Sequence, residues 1–468
     1  MSAAAPSHGR AVVIGGSMVG LAMARALSGH FREVILIDKD EFPVDAPAHR
    51  VGVPQSYHIH NLTLRGQKEL EDLFPGFGEE AVKLGAMRID YGRDVARCSE
   101  LGWQKQFQSG LIALSATRIL VEFAERQRFR ALCKNVRVIE NTRVVNLITE
   151  GEGNKQRAVG VVTDKQDETQ IRADFVVDCS GRGTKWKKWF EERKLPLPPE
   201  TVVDSRCGYS SRFMRPKNPG KYQWKAMVVD GTYPDHQHWG VIVPLENNDW
   251  VVTLGGIGEN YPPGDEEGFL KCAQGLLTPL YAEAMAEAEP LTPIRTFRRM
   301  EMRWNHFERV GVALNRFLVV GDAAWAYNPL YGQGMSIGVT CARILRDLLD
   351  KNPSLDGIDR RFYPPAKKFS WPAWESTALL DMRWPQTHGK RPWHMALTHR
   401  LMNFAWRAAH YDEDLFMAVL QNVHLLKSPT ELITPKLMWA FTKYVLKLVT
   451  FMPLRPVPQL PALPSPAE

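Results

Sequence analysis

At 468 residues the chain exceeds one ordinary core, and its 44% hydrophobic and 24% charged residues are a globular balance, so two or more interleaved units are expected. A net charge of +7, from 59 basic and 52 acidic residues without a basic tract, argues against a nucleic-acid partner. Scattered cysteines, an N-terminus lacking a signal peptide's apolar core and the absence of any ~18-residue apolar run argue against zinc, secretion and a membrane span, leaving a cytoplasmic protein.

The first readable unit is "RAVVIGGSMVGLAMARALSGHFREVILIDKD", a strand, turn, helix and second strand. Val12, Val13 and Ile14 form a short apolar run suited to a buried parallel strand. The turn is Gly-x-Ser-x-x-Gly: Gly15, Gly16, Ser17, Met18, Val19, Gly20. Gly15 permits the tight bend, and a small Ser17 lets backbone N–H groups reach a pyrophosphate. Gly20 lets the helix pack on the strand, and the helix N-terminus favours phosphate charge. Asp38, ending the second strand before Lys39, can accept from both ribose hydroxyls. An ADP-containing dinucleotide is therefore expected here.

Four stretches follow whose chemistry is less explicit. "HRVGVPQSYHIHNLTLRGQKELEDLFPG" carries Arg50, Val53, Gln55, His58 and His60. The two histidines at i, i+2 lack a third ligand, so a structural or cofactor-side role is read before a metal. "LSATRILVEF" places Arg118 on a helix, Val144 and Val145 open a later strand, and "ADFVVDCSGRGTKW" ends a strand on Ser180 and Gly181.

A different texture then begins. "CGYSSRFMRP", "WKAMVVDG", "HWGVIVPLE" and "DWVVTLGGI" are short β-rich runs between Gly, Pro and Asn turns, which predicts an antiparallel sheet. Met227, Trp239, Val241, Val243 and Trp250 suggest an apolar floor.

Late in the chain comes "RFLVVGDAAWAYNPLYGQGMSIGVTCARILRDLL". The strand delivers Gly321 and Asp322, and Asn328-Pro329 forces a turn. Gly332, Gln333 and Gly334 bring bare backbone to the start of a helix opening with Met335 and Ser336. NAD needs only the first turn. FAD has a ribityl chain and a large ring whose far end a second segment must hold. Asp322 can bond ribityl hydroxyls, and the helix N-terminus would stabilise negative charge on a reduced flavin. Two glycine-rich turns bracketing one FAD is the reading, with the loop Pro329, Leu330, Tyr331 and Gly332 facing the ring.

From about residue 355 the chain reads as helical. In "KLMWAFTKYVLKLVTFM", Lys436, Lys443, Lys447 and Thr450 share one face. Either this helix packs on the body with its lysines outward, or the segment 436–452 rests on a membrane surface. "PLRPVPQLPALPSPAE" is a proline-rich end, expected to be disordered.

Together these motifs resemble the FAD-dependent aromatic hydroxylase and epoxidase superfamily, with the p-hydroxybenzoate hydroxylase type of fold. The resemblance implies an α/β fold: a Rossmann-like FAD-binding domain (GR2 type) over 1–76, 113–190 and 298–352, interleaved with an α+β substrate domain over 77–112 and 191–297. A C-terminal helical region over 353–452 and a tail over 453–468 complete it. It implies that Arg118 reaches the FAD phosphates and that Val144 and Val145 pass the adenine. The "HRVGVPQSYHIH" stretch resembles a subgroup of bacterial polyether-type epoxidases and, more distantly, squalene monooxygenase, which makes Arg50, Val53, Gln55, His58 and His60 cofactor-side candidates. Ser180-Gly181 replaces the Asp-Gly of many hydroxylases, a turn tied to pyridine nucleotide use. NAD(P)H is then the electron source either directly or through a separate flavin or electron-transfer reductase.

The activity implied is a monooxygenase: reduced flavin and O₂ give a C4a-hydroperoxide that delivers one oxygen atom. The substrate expected is large and hydrophobic, an alkene-bearing polyketide or terpenoid of secondary metabolism undergoing epoxidation or hydroxylation, since no charged groups are evidently dedicated to the pocket. Met227, Trp239, Val241, Val243 and Tyr331 are its candidate contacts. Flavin-dependent halogenases are a rival, because "WGVIVP" at 239–244 keeps part of their Trp-x-Trp-x-Ile-Pro stretch without the second Trp. A non-catalytic binder on the same fold and an oxygen-independent flavoenzyme are others.

Overall fold

Five parallel strands carry the first part of the protein, in the order Phe317–Val319, Phe175–Asp178, His8–Ile14, Phe31–Ile37, Val136–Ile139. The computed structural model describes residues 7–449 except 299, 312, 313, 429, 430, 432 and 433. The sheet is buried on both faces, which is why its strands read as continuous apolar runs: Val12, Val13, Val34, Ile35, Val176 and Leu318 are all fully buried. Three neighbouring strands therefore come from three distant parts of the sequence. Their C-terminal ends lie side by side, and ladder bonds from Gly15 N to Ile37 O (2.8 Å), Cys179 N to Ile14 O (2.8 Å) and Val320 N to Asp178 O (2.9 Å) deliver three turns to one edge. Ligands of open α/β sheets bind at such an edge.

The second sheet runs in the order Ala288–Pro290, Gly208–Pro216, Trp250–Gly256, His238–Pro244, Ala226–Val229, Val95–Ser99, Gly102–Trp103. Most pairs are antiparallel, but Val95–Ser99 joins in parallel with Ala226–Val229. Helices Glu266–Gln274 and Leu280–Ala286 cover one face and bury Met227, Ile242, Trp250, Val252 and Leu254 with Phe269 and Tyr281. Met227 and Trp250 thus belong to this helix-covered core and not to the open floor. The reason is strand alternation: Trp239, Val241 and Val243 point one way and Ile242 the other.

A long helix, Ile358–Asp381, follows the cofactor segment and continues through Pro364, Pro365 and Pro372. Helices Met395–Tyr411, Glu413–Val423 and Pro435–Val449 complete the C-terminal region. The last helix packs Ala440 and Tyr444 inward, with Phe404 against Phe441 (5.7 Å between ring centroids) and Tyr444 (5.4 Å), while Lys436 pairs with Asp414 at 2.7 Å. Lys436 and Lys443 are exposed, but so are Met438, Trp439 and Val445, so the outward face is not the polar one that simple packing would leave. Among the described residues no helix is long and apolar enough to cross a membrane. Thr450, the Lys447 side chain and the tail over 453–468 lie outside the described residues.

Candidate cofactor and substrate site

The first turn is fixed by two glycines that nothing larger replaces. Gly15 has φ +93°, and a Cβ there would stand 2.7 Å from the Cys179 carbonyl oxygen. A Cβ on Gly20 would fall 1.7 Å from the Gly15 oxygen, so the first turn of the helix Met18–Ser28 must carry a glycine at this position. Gly16 N donates to Asp38 Oδ2 at 2.5 Å, tying the acid to the turn. Burial pushes the Asp38 carboxyl up, against the pull of the Asp40 N–H and Arg50. Lys39 is exposed. Met18 and Val19 are, respectively, buried and half-buried in the first turn of the helix, which has no side-chain cap and no acidic residue there.

Beside this turn lies a buried charge knot. Glu122 receives Arg50, Arg118 (2.9 Å) and Arg126 (2.8 Å). Burial alone would raise its carboxyl, yet the three guanidiniums hold it at about 2. Arg118 also donates to Ser17 Oγ at 2.7 Å and touches Met335 Sδ, so one side chain bridges the two glycine-rich turns. Arg50 reaches Asp38 at 3.5 Å and Asp40 at 3.4 Å. Glu122, the organiser of these contacts, is not marked by any sequence motif; its signal is only i, i+4 spacing from Arg118 and to Arg126.

Other candidates are placed less directly. Val53 is buried and Gln55 half-buried around the short helix Pro54–Tyr57. His58 leaves the turn and meets the second sheet, bonding Ser211 Oγ at 3.0 Å and packing on Tyr209; burial, then Arg295, lowers it to about 4. His60 bonds the His58 carbonyl at 3.1 Å and lines the cavity described below. Among the described residues no group of three or more His, Cys, Asp or Glu could hold a metal. Val144 and Val145 open the strand Val144–Glu150 of a separate three-stranded sheet; Val144 is half-buried and Val145 is 48% exposed.

The middle turn is held by Asp178, fully buried, which accepts from Ser180 N (2.9 Å), Ser180 Oγ (2.6 Å) and Thr184 Oγ1 (2.5 Å). Gly181 has φ +74°, and a Cβ there or on Gly183 would meet nothing within 4 Å. Arg182 between them donates to Tyr327 O and Glu301 O, each at 2.7 Å, and lies 3.5 Å from Asp322. It ties the middle turn to the second glycine-rich turn, a role that sequence reading missed; the only signal is a cation flanked by glycines.

Gly321, at φ +67°, has room for a Cβ only 3.3 Å from Val19, so the two glycine-rich turns meet across that valine. Asp322 is open on its side chain, at 43%. Gly332 has φ +63°, and the helix Gly334–Lys351 starts, like the first, without side-chain cap or acid in its first turn. Ser336 faces the neighbouring helix with its side chain. It is fully buried, accepts from Thr63 N at 3.1 Å and fills the space beside Gly66, so its hydroxyl is engaged in helix packing. Met335 is half-buried against Arg118, and Gln333 is buried with Oε1 unpartnered.

Pro329 to Gln333 form one wall of a cavity of about 1290 Å³. Val228, Trp239, Val241 and Val243 floor it, with Val228 in the place expected for Met227. Leu380, Trp384, Leu401, Met402 and Phe441 bring the C-terminal helices to it. Tyr331 Oη donates to Asp381 Oδ1 at 2.8 Å and Asn328 Nδ2 to Oδ2 at 2.9 Å, which pins the loop to the end of the long helix. Burial raises Asp381 to about 6 despite these bonds. Charged side chains do line the cavity, contrary to expectation. Arg97 is paired with Asp230 and Arg407 with Glu100, whereas Arg383 has no ion-pair partner among the described residues and its Nε and Nη2 are buried without acceptors.

Three turns at one sheet edge, two helix N-termini with no side-chain cap and an open carboxylate at Asp322 fit the needs of FAD: Asp38, Ser17 and Gly20 would hold the ADP half, and Asp322 and Gly332–Gly334 the flavin half.

The chain is 30% identical over 387 residues to Protein Rv3254 of Mycobacterium tuberculosis (strain ATCC 25618 / H37Rv), covering 80% of each. Its fold is similar to that of p-nitrophenol 4-monooxygenase PnpA from Pseudomonas putida DLL-E4 (TM-score 0.61, 18% identity, 90% of this chain and 98% of that one). It is also similar to the flavin-dependent brominase Bmp2 (TM-score 0.62, 12% identity, 94% and 99%). Residues 9–350 match the model of the FAD binding domain, and the chain belongs to that family.

Proposed function

We propose that this flavoenzyme inserts one oxygen atom from O₂ into a large, mainly hydrophobic substrate, by epoxidation of an alkene or by hydroxylation, in the manner of the epoxidase-like subgroup its "HRVGVPQSYHIH" stretch resembles. One observation carries the reading: the loop Pro329–Gln333 is at once the approach to an uncapped helix N-terminus and the wall of an apolar cavity of about 1290 Å³. FAD, when bound and reduced, supplies the activation of O₂. The chain's part is positioning and shielding. Val228, Trp239, Val241 and Val243 offer apolar surface to the substrate, and the C-terminal helices limit water on the opposite side. Tyr331, held by Asp381, fixes the loop against which the substrate would lie. Arg383 is a buried cation of the cavity lining with unpartnered donors, so a carbonyl or acidic group on the substrate is favoured over a pure hydrocarbon.

Electrons come from NAD(P)H, directly or through a reductase; oxidation of NADPH by the purified chain alone would choose the direct route. The test of the function is incubation of the FAD-loaded protein with ¹⁸O₂, a reductant and alkene-bearing acids. One labelled oxygen per product is expected. Product that is halogenated only when bromide or chloride is present would favour the halogenase reading, for which the brominase-like fold is the supporting observation. A protein that turns no substrate over yet binds FAD would leave a binding role.

A further inference from the structure

The C-terminal helices carry a surface that the oxygenase reading leaves unused. Trp393 is 94% exposed, and Leu397, Leu401, Met438, Trp439 and Val445 lie between 41% and 60%. Trp393 sits in the turn before the helix Met395–Tyr411, and the others come from that helix and Pro435–Val449, which meet through Phe404 and Phe441. Soluble surfaces rarely gather this many large apolar side chains, two of them tryptophans, without a partner. Two further observations select the partner.

The first is charge. From Met382 to Tyr411 the sequence holds five Lys or Arg and no Asp or Glu, and from Pro435 to Val449 it holds three and none. Lys436 is paired with Asp414, and Arg407 with Glu100. Lys390, Arg391, Arg400 and Lys443 are exposed and have no carboxylate partner among the described residues. Cations around tryptophans and aliphatic side chains match a sheet of anionic headgroups over acyl chains. A second copy of this chain would bring the same cations against themselves. The second observation is position: Leu401 and Met438 are exposed on this surface and also line the substrate cavity, so the cavity opens within the patch.

We propose that this face seats the protein on the surface of an anionic lipid membrane, with the cavity mouth turned toward the bilayer. A greasy substrate would then pass from the acyl region to the cavity without crossing water. This is a peripheral contact. It rests on the surface alone and survives even if the reaction is not an oxygen insertion.

The test uses the full FAD-loaded chain and sedimentation with sucrose-loaded vesicles, either phosphatidylcholine alone or phosphatidylcholine containing phosphatidylserine. Binding is expected to the second kind and to weaken in high salt. Trp393→Ser with Trp439→Ser, neither of which lines the cavity, should weaken binding about tenfold or more. Lys390→Glu with Arg400→Glu and Lys443→Glu should remove the preference for phosphatidylserine. Unchanged flavin absorbance and circular dichroism would show that both variants are folded. No sedimentation with either vesicle, or binding untouched by both variants, overturns the proposal. So does a concentration-dependent dimer in light scattering that the tryptophan variant dissolves, because the face would then be covered by a second copy.

Discussion

Glu122 shows how a residue without a motif can govern a site. It is buried at the meeting point of Arg50, Arg118 and Arg126, and Arg118 in turn reaches both Ser17 and Met335. Replacing one member of such a knot leaves charges buried without compensation, so Glu122→Gln should cost about 3–5 kcal/mol in denaturant unfolding. The pH dependence has a definite sign. A folded-state value of about 2 against an ordinary 4.5 means the carboxylate's contribution is complete above pH 4.5 and disappears as pH falls toward 2. Melting temperature followed from pH 6 to pH 3 should therefore fall more steeply in the wild type than in Glu122→Gln. Parallel curves would mean that the knot contributes nothing net. Sequence reading found Arg118 and Arg50 but not Glu122, Arg182 or Asp381. The bond from Tyr331 to Asp381 spans 50 positions, and no local pattern announces such a pairing.

At the scale of elements, legibility followed periodicity and burial. The strand–turn–helix around Gly15 and the strand before Gly321 were readable because both-face burial writes itself as an apolar run and the turns demand glycine. Which face of the second sheet meets the cavity was not readable, since helices on its far side make both faces apolar. The consequence can be measured. Met227, fully buried under those helices, should lose about 2–5 kcal/mol of stability on Met227→Ala while substrate binding per folded molecule stays the same. Val241→Phe, on the cavity face, should leave stability within about 1.5 kcal/mol and flavin absorbance intact, yet raise KM for bulky substrates. The opposite outcome, with Met227→Ala acting on KM, would reverse the faces assigned to this strand pair. The helix Ile358–Asp381 lies where the chain reads as helical from about residue 355, and it runs through three internal prolines to Asp381.

For the whole molecule the question is how two ligands share one loop. Three parallel strands bring three turns to one edge, the second sheet supplies a floor, and the C-terminal helices close the far side; Asn328 to Gln333 is the segment common to all of these. Hydrogen exchange can test that arrangement in a single experiment. FAD added to the apoprotein should slow exchange together at 15–20, 180–184 and 321–336, since any ligand spanning the edge orders the backbone it touches. A bulky apolar acid added to the FAD-loaded protein should slow a second set, at 226–243, 328–333, 376–384 and 398–406, where the cavity is lined. The two footprints should overlap at 328–333 and nowhere else at comparable size. If FAD protected the first turn but left 328–333 unchanged, the cavity would be separate from the cofactor, and neither the positioning role of Tyr331 nor an oxygen transfer across that loop would stand.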